Sequence, residues 1–154
     1  MLDPRDDGVT HINIYSKGST ALGVMLSNFY LQQFKLEDHG HFASIECFWH
    51  WLSTGKQHDC LRSTWGYGAK MAARKFDKVP MPEEEFRREI IRAIKIKILT
   101  NKELLRLFVE STLPFAHYYY FGDKERAKVY EQDGRFTWLT DFFEKFRSEL
   151  KQGQ

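Results

Sequence analysis

Hydrophobic and polar positions change their period along this chain, and each change marks an element. Met1 to Gly8 is polar and carries Pro4 and Gly8, which predicts a tail, whereas His11-Ile12-Asn13-Ile14-Tyr15 alternates as a short strand does. Ser16 to Gly23, with its small residues and two glycines, reads as a loop leading into Met25-Leu26-Ser27-Asn28-Phe29-Tyr30. A second short strand is expected at Phe34 to Leu36, stopped by the turn Asp38-His39-Gly40. From Ser44 onward the period becomes helical. Ser44 is placed to cap a helix whose apolar residues Ile45, Phe48, Trp49, Trp51 and Leu52 wrap most of its surface before Ser53-Thr54-Gly55 ends it. A helix so apolar is predicted to be buried.

Gly66 and Gly68 introduce a helix predicted over Ala69 to Phe76, and Pro80 and Pro82 break it. Pro82 followed by Glu83-Glu84-Glu85 is a helix start, and Phe86, Ile90, Ile94 and Ile98 form one stripe that carries the helix to about Leu99. Thr100 with Glu103 reads as a capping box opening the next helix, through Leu104, Leu105, Leu107 and Phe108 to Glu110. Leu113-Pro114 stops that helix. His117 to Gly122 is an aromatic run with the character of a strand, and after the charged segment Asp123 to Arg135 a last amphipathic helix carries Trp138, Leu139, Phe142, Phe143 and Phe146. The expected fold is α+β: a predominantly helical single domain over 10–150 with a few short strands, and polar tails at 1–9 and 151–154.

Composition narrows this picture by exclusion. Lys and Arg total 23 against 21 Asp and Glu, so charge alone demands neither a polyanion nor an acidic membrane surface. No apolar run is long enough to span a bilayer, and the start MLDPRDD lacks the apolar core of a signal peptide, so a soluble cytoplasmic protein with no membrane partner is expected. Cys47 and Cys60 are too far apart for a redox pair and are read as free thiols. The aromatic content is high: 13 Phe, 7 Tyr and 4 Trp, more bulk than a core of this size needs, which suggests that some rings line a pocket.

Glu46 stands out as a carboxylate among residues that prefer burial, with Trp49 and His50 three and four positions on and therefore on its helical face. It is either a proton donor or acceptor in a site, or a structural group paired with Lys70 or Arg74 or turned to solvent. Asn28, between Ser27 and Phe29, offers an amide to a ligand or caps a turn. Lys17 and Lys70 are candidate phosphate contacts or solvated surface. Tyr118 to Phe121 either stacks a nucleobase or forms a buried strand. His39, Gly40 and His41, with His50 beyond, make a poor zinc pattern, so no metal site is expected. No GxSxG, HExxH, P-loop or GxGxxG motif is present.

Taken in order, Tyr15-Ser16-Lys17, Leu26-Ser27-Asn28-Phe29, Phe34, Ser44-Ile45-Glu46 with Phe48, and Gly68-Ala69-Lys70 resemble the NADAR (YbiA-like) superfamily over roughly residues 12 to 150. The resemblance implies an N-glycosidase fold that acts on ribosyl groups without cofactor. Members split ribosylamine-type intermediates of riboflavin synthesis or remove ADP-ribose from modified bases. It implies Glu46 as the catalytic residue at a C1′–N bond, Asn28 as a contact to ribose or base polar atoms, and Trp49 as an apolar wall; Lys17, Ser27, Phe29, His117 and Tyr118 are the further expected ligand contacts. The implied partner is a small nucleotide-like ligand, ADP-ribose or a ribosylated base, with ADP-ribosylated nucleic acid as a larger form of it. Two positions depart from the family pattern. Its late Asp is replaced by Ala116 or His117, and its Gly-x-Asn-x-Leu-Gly reads here Gly134-Arg135-Phe136-Thr137-Trp138-Leu139-Thr140. Without the second carboxylate, the alternative expectation is a pocket that binds ADP-ribose or an NAD-derived nucleotide and leaves it intact.

Overall fold

The computed structural model describes residues 2–131 and 134–153. Met1 and Gln154 of the expected tails, and Gln132 and Asp133 of the charged segment, lie outside them. The fold is α+β and dominated by helix. The chain divides into two compact units, Met1–Ser27 with Glu103–Gln154, and Asn28–Lys102.

In the first unit, β1 (Ile12–Asn13) pairs in parallel with β4 (Phe115–Ala116), and β5 (Tyr118–Phe121) pairs antiparallel with β6 (Lys128–Glu131). The strand β6 lies inside the charged segment and β4 beside Pro114, where neither alternation nor length announced a strand. His11 to Tyr15 is buried at every position, so only two of its residues pair as a strand and its apparent alternation does not separate a wet face from a dry one. Asn13 continues the pairing with its side chain: the amide donates to the Tyr118 carbonyl and accepts from the Tyr118 N–H, both at 3.0 Å. A wholly buried amide is tolerated because both of its ends are satisfied.

The expected tail at 1–9 is structured. Pro4–Asp6 forms a 3₁₀ turn capped by Asp3, and buried Asp7 accepts the backbone N–H groups of Asn13 at 2.9 Å and Ser19 at 2.8 Å. Polar composition pointed to solvent because the donors that satisfy Asp7 come from residues further along the chain. The expected loop 16–23 contains the start of α1 (Ala21–Leu26), capped by the Thr20 hydroxyl on the Gly23 N–H. Gly23 is interior to this helix because a Cβ there would lie 2.3 Å from the Asn13 carbonyl oxygen. Helices α5 (Lys102–Glu110) and α6 (Thr137–Gln152) supply the aromatic core, with Phe115 stacked on Phe108 at 5.7 Å and 5.8 Å from Phe143. The last helix absorbs Lys151 and Gln152 from the expected tail, and Lys151 donates to the Ser111 carbonyl.

In the second unit, the expected strand β2 (Phe34–Leu36) pairs across the turn with β3 (Gly40–Phe42), a strand the sequence pattern did not announce, and α2 (Ile45–Ser53) packs against α3 (Gly66–Ala73) and α4 (Glu83–Thr100). Phe34, Phe42, Phe48 and Trp51 are buried together, Phe42 and Phe48 with ring centroids 4.8 Å apart. The expected capping box does not form. Thr100 ends α4 with its hydroxyl on the Ile96 carbonyl, 2.6 Å away, and Glu103 pairs with Arg106, so Asn101 separates the two helices. Helix α3 starts three residues before the predicted Ala69, at Gly66, and ends at Ala73.

The apolar stripe of α4 carries one unexpected member. Lys97, three residues after Ile94 and seven after Ile90, is fully buried, with its Nζ 5.7 Å from the centre of the Tyr30 ring. Burial lowers its pKa from 10.5 to about 7. Between those values the unfolded chain holds a proton that the folded chain lacks, so stability rises with pH across that window and is lowest below it.

Two outcomes follow. Gly23→Ala gains about 1 kcal/mol of helix propensity, but the backbone overlap outweighs it, for a net loss of about 2 kcal/mol; an unchanged urea midpoint would show that the α1–β1 approach can relax. Lys97→Met stabilises the protein at pH 6.5 by a few kcal/mol, at about 1.4 kcal/mol per pKa unit, and removes most of the gain between pH 7 and 9.5. Parallel urea midpoints for the two proteins across that range would refute the assignment.

Candidate functional site

The N-terminus of α2 is built as Ser44 predicts: its hydroxyl accepts the Cys47 N–H at 3.1 Å. The N–H of Glu46 needs a partner from elsewhere, and the Asn28 carbonyl supplies it at 2.9 Å. The next carbonyl, of Phe29, accepts the first N–H of α3 from Gly66 at 3.2 Å. Gly66 has φ of 58°, a left-handed conformation that glycine adopts without strain. Two successive carbonyls thus close two helix starts, and this fixes Asn28 beside Glu46. The Asn28 side-chain amide makes no hydrogen bond among the described residues.

Glu46 projects from the first turn of α2, where the helix dipole favours an anion. Its side chain is 12% exposed, and its Oε1 meets His50 Nε2 at 2.9 Å. Neither Lys70 nor Arg74 bonds to it. With the carboxylate ionised, Nε2–H donates, and Oε2 keeps its lone pairs for another group. Trp49, also on α2, lies edge-on to Phe86 at 4.8 Å and is half-buried. The buried Cys47 thiol donates to the Ser44 carbonyl, and burial pushes its pKa up.

Beyond His50 the groove between α2 and α3 opens into a cleft of about 360 Å³, lined by Ser53 and Thr54 on one side and by Lys70, Ala73 and Arg74 on the other, with Phe76 and Lys78 at its end. Lys70 is exposed at its rim. The histidines considered for metal binding have separate partners: His39 faces Glu89 at 3.3 Å, His41 accepts from Gln33, and His50 holds Glu46.

The remaining sequence-derived candidates belong to the first unit. Tyr118 is buried, its hydroxyl 2.6 Å from His11 Nε2, so its ring is part of a buried strand. Lys17 is exposed, and its carbonyl accepts the Tyr120 hydroxyl at 2.9 Å. Ser27 is buried at the end of α1. His117 Nδ1 is 2.7 Å from the Ile14 carbonyl, which can only accept, so Nδ1 carries the proton and Nε2 is an acceptor. Burial lowers the pKa of this imidazole.

Phe115, Ala116, His117 and Phe136 line a cavity of about 430 Å³, with Thr137 and Thr140 on its rim. Both departures from the family pattern therefore fall on one cavity. The two threonine hydroxyls donate to backbone carbonyls, of Gly134 and Thr137, each at 3.0 Å.

Sequence reasoning placed Glu46, Trp49 and His50 on one helix face and Asn28 near a functional loop. It did not find the cleft-lining role of Lys78, which no local pattern singles out, nor the pairing of Asn28 with α2, which depends on a contact across eighteen residues of sequence. No family model matches the sequence, and no curated protein matches it. Among solved structures, the chain is similar to the NMR structure of the E. coli protein YbiA, at 18% identity over 97% of this chain and 93% of that one, with a TM-score of 0.63. The fold is YbiA-like.

Proposed function

We propose that this protein is an N-glycosidase of the NADAR type, cleaving the C1′–N ribosyl bond of an ADP-ribosylated base or a related ribosylated nucleotide, with Glu46 as its catalytic residue. The observation that carries the reading is the state of that carboxylate. It is nearly buried and held by His50 at 2.9 Å, no Lys or Arg neutralises it, and one oxygen remains open. The YbiA-like fold supports the same reading.

In hydrolysis of this kind, the C1′–N bond lengthens first and positive charge spreads over C1′ and the ring oxygen. Glu46 stabilises that charge and accepts a proton from the attacking water. The water oxygen bonds to C1′, and the leaving nitrogen takes the bonding electron pair and a proton. His50 holds the carboxylate in position through Nε2. Asn28, fixed beside Glu46 with its amide uncommitted, would hold ribose hydroxyls or the base edge. Trp49 would form an apolar wall, with Phe29 of the same unit as a further expected contact.

A second reading is favoured by one observation: the position of the family's second carboxylate holds Ala116 or His117, neither of which is a carboxylate. The pocket would then bind ADP-ribose or an NAD-derived nucleotide without cutting it. Incubation with NAD or an ADP-ribosylated base, followed by chromatography, separates the two. New products identify a hydrolase, while saturable binding of intact ligand identifies a binding module. For the hydrolase, Glu46→Gln lowers the rate of ADP-ribose release by about 10²-fold or more, with little change in melting temperature. Turnover retained in that variant removes Glu46 from the mechanism.

A further inference from the structure

We infer that the cleft between α2 and α3 is an anion subsite that takes the diphosphate of a nucleotide, with Lys70, Arg74 and Lys78 as its contacts. The charge on its walls points there. Three cations line the cleft, no carboxylate does, and none of the three has an ion-pair partner among the described residues. Arg62 and Arg92 of the same unit, by contrast, are paired with Asp59 and Asp38, both at 2.8 Å. Lys70 in the last turn of α3 and Arg74 at its C-cap are four residues apart, a spacing that brings two like charges to one side of the helix end.

Geometry selects the kind of anion. Four residues of helix rise separate Lys70 from Arg74 by about 6 Å, a spacing suited to two linked phosphates rather than one. The hydroxyls of Thr54 and Ser53 donate to the carbonyls of His50 and Trp49, so the cationic groups are the donors left facing the cleft. Arginine adds a planar fork suited to phosphate oxygens. At about 360 Å³ the cleft is of small-molecule size.

Position ties the subsite to the carboxylate. His50 lines the cleft and also holds Glu46 at 2.9 Å, so a bound diphosphate would lie about one to two helical turns from Glu46 along α2, with the imidazole between the two anions. The inference rests on the glycosidase reading only for the remainder of the ligand, a ribosyl group whose C1′ reaches Glu46.

Calorimetry of the full chain with inorganic pyrophosphate at low salt tests it. Saturable one-to-one binding is expected, about tenfold weaker in Lys70→Gln and in Arg74→Gln, partly restored in Arg74→Lys, and unchanged in Lys35→Gln, an exposed cation on β2 outside the cleft. Melting curves check that each variant is folded. Absence of saturable binding overturns the inference, as does equal weakening by Lys35→Gln, which would mean diffuse attraction. Displacement of pyrophosphate by a single-stranded oligonucleotide at lower concentration than by ADP overturns the nucleotide assignment. If pyrophosphate binds as expected while Glu46→Gln still turns over substrate, the catalytic reading fails and the subsite stands. If the wild type hydrolyses substrate but binds no pyrophosphate, the subsite alone fails.

Discussion

Two backbone carbonyls, of Asn28 and Phe29, organise the second unit. A helix start leaves N–H groups without partners, and in a buried position each must be satisfied. Here the Glu46 and Gly66 N–H groups find consecutive residues of one strap of chain. This pairing ties the starts of α2 and α3 to one segment of chain and brings Asn28 beside Glu46. The left-handed Gly66 is part of the same device, since only its backbone conformation turns the N–H toward Phe29.

Glu46 is intelligible within that frame. Its position in the first turn gives it the favourable end of the helix dipole, and His50 gives it one hydrogen bond, which together make a nearly buried carboxylate tolerable without a cation. The cations that would have neutralised it, Lys70 and Arg74, instead line the neighbouring cleft. Separation of the acid from the cations is what a site for an anionic substrate requires, because a salt bridge between them would leave neither free to meet a ligand.

The first unit shows how far local pattern can mislead about burial. Asp7 and Asn13 are polar residues with no hydrophobic face to advertise them, yet both are buried because the chain returns to satisfy them. Gly23 looked like a loop residue and is a helix residue, since the test for it is the distance to the Asn13 carbonyl. Conversely Thr100 and Glu103 had the spacing of a capping box, but α4 used Thr100 as its last residue, so a local signal was overridden by continuation of the preceding apolar stripe.

What the sequence determined alone were features that depend on neighbours within a few residues. These were the α2 cap at Ser44, the start of α4 after Pro82, the strand β2 with the turn that ends it, and the common helical face of Glu46, Trp49 and His50. Local spacing suffices there because hydrogen bonds and side-chain contacts at three and four residues are fixed by helix geometry. Tertiary structure decided the rest: the choice of His50 over Lys70 or Arg74 as partner to Glu46, the burial of Lys97 on an apolar stripe, the anchoring of Asn28, and the gathering of Lys78 with the α3 cations. Each of these depends on which segments meet after folding, and the free energy of such meetings comes from buried area and satisfied polar groups that no window of sequence contains.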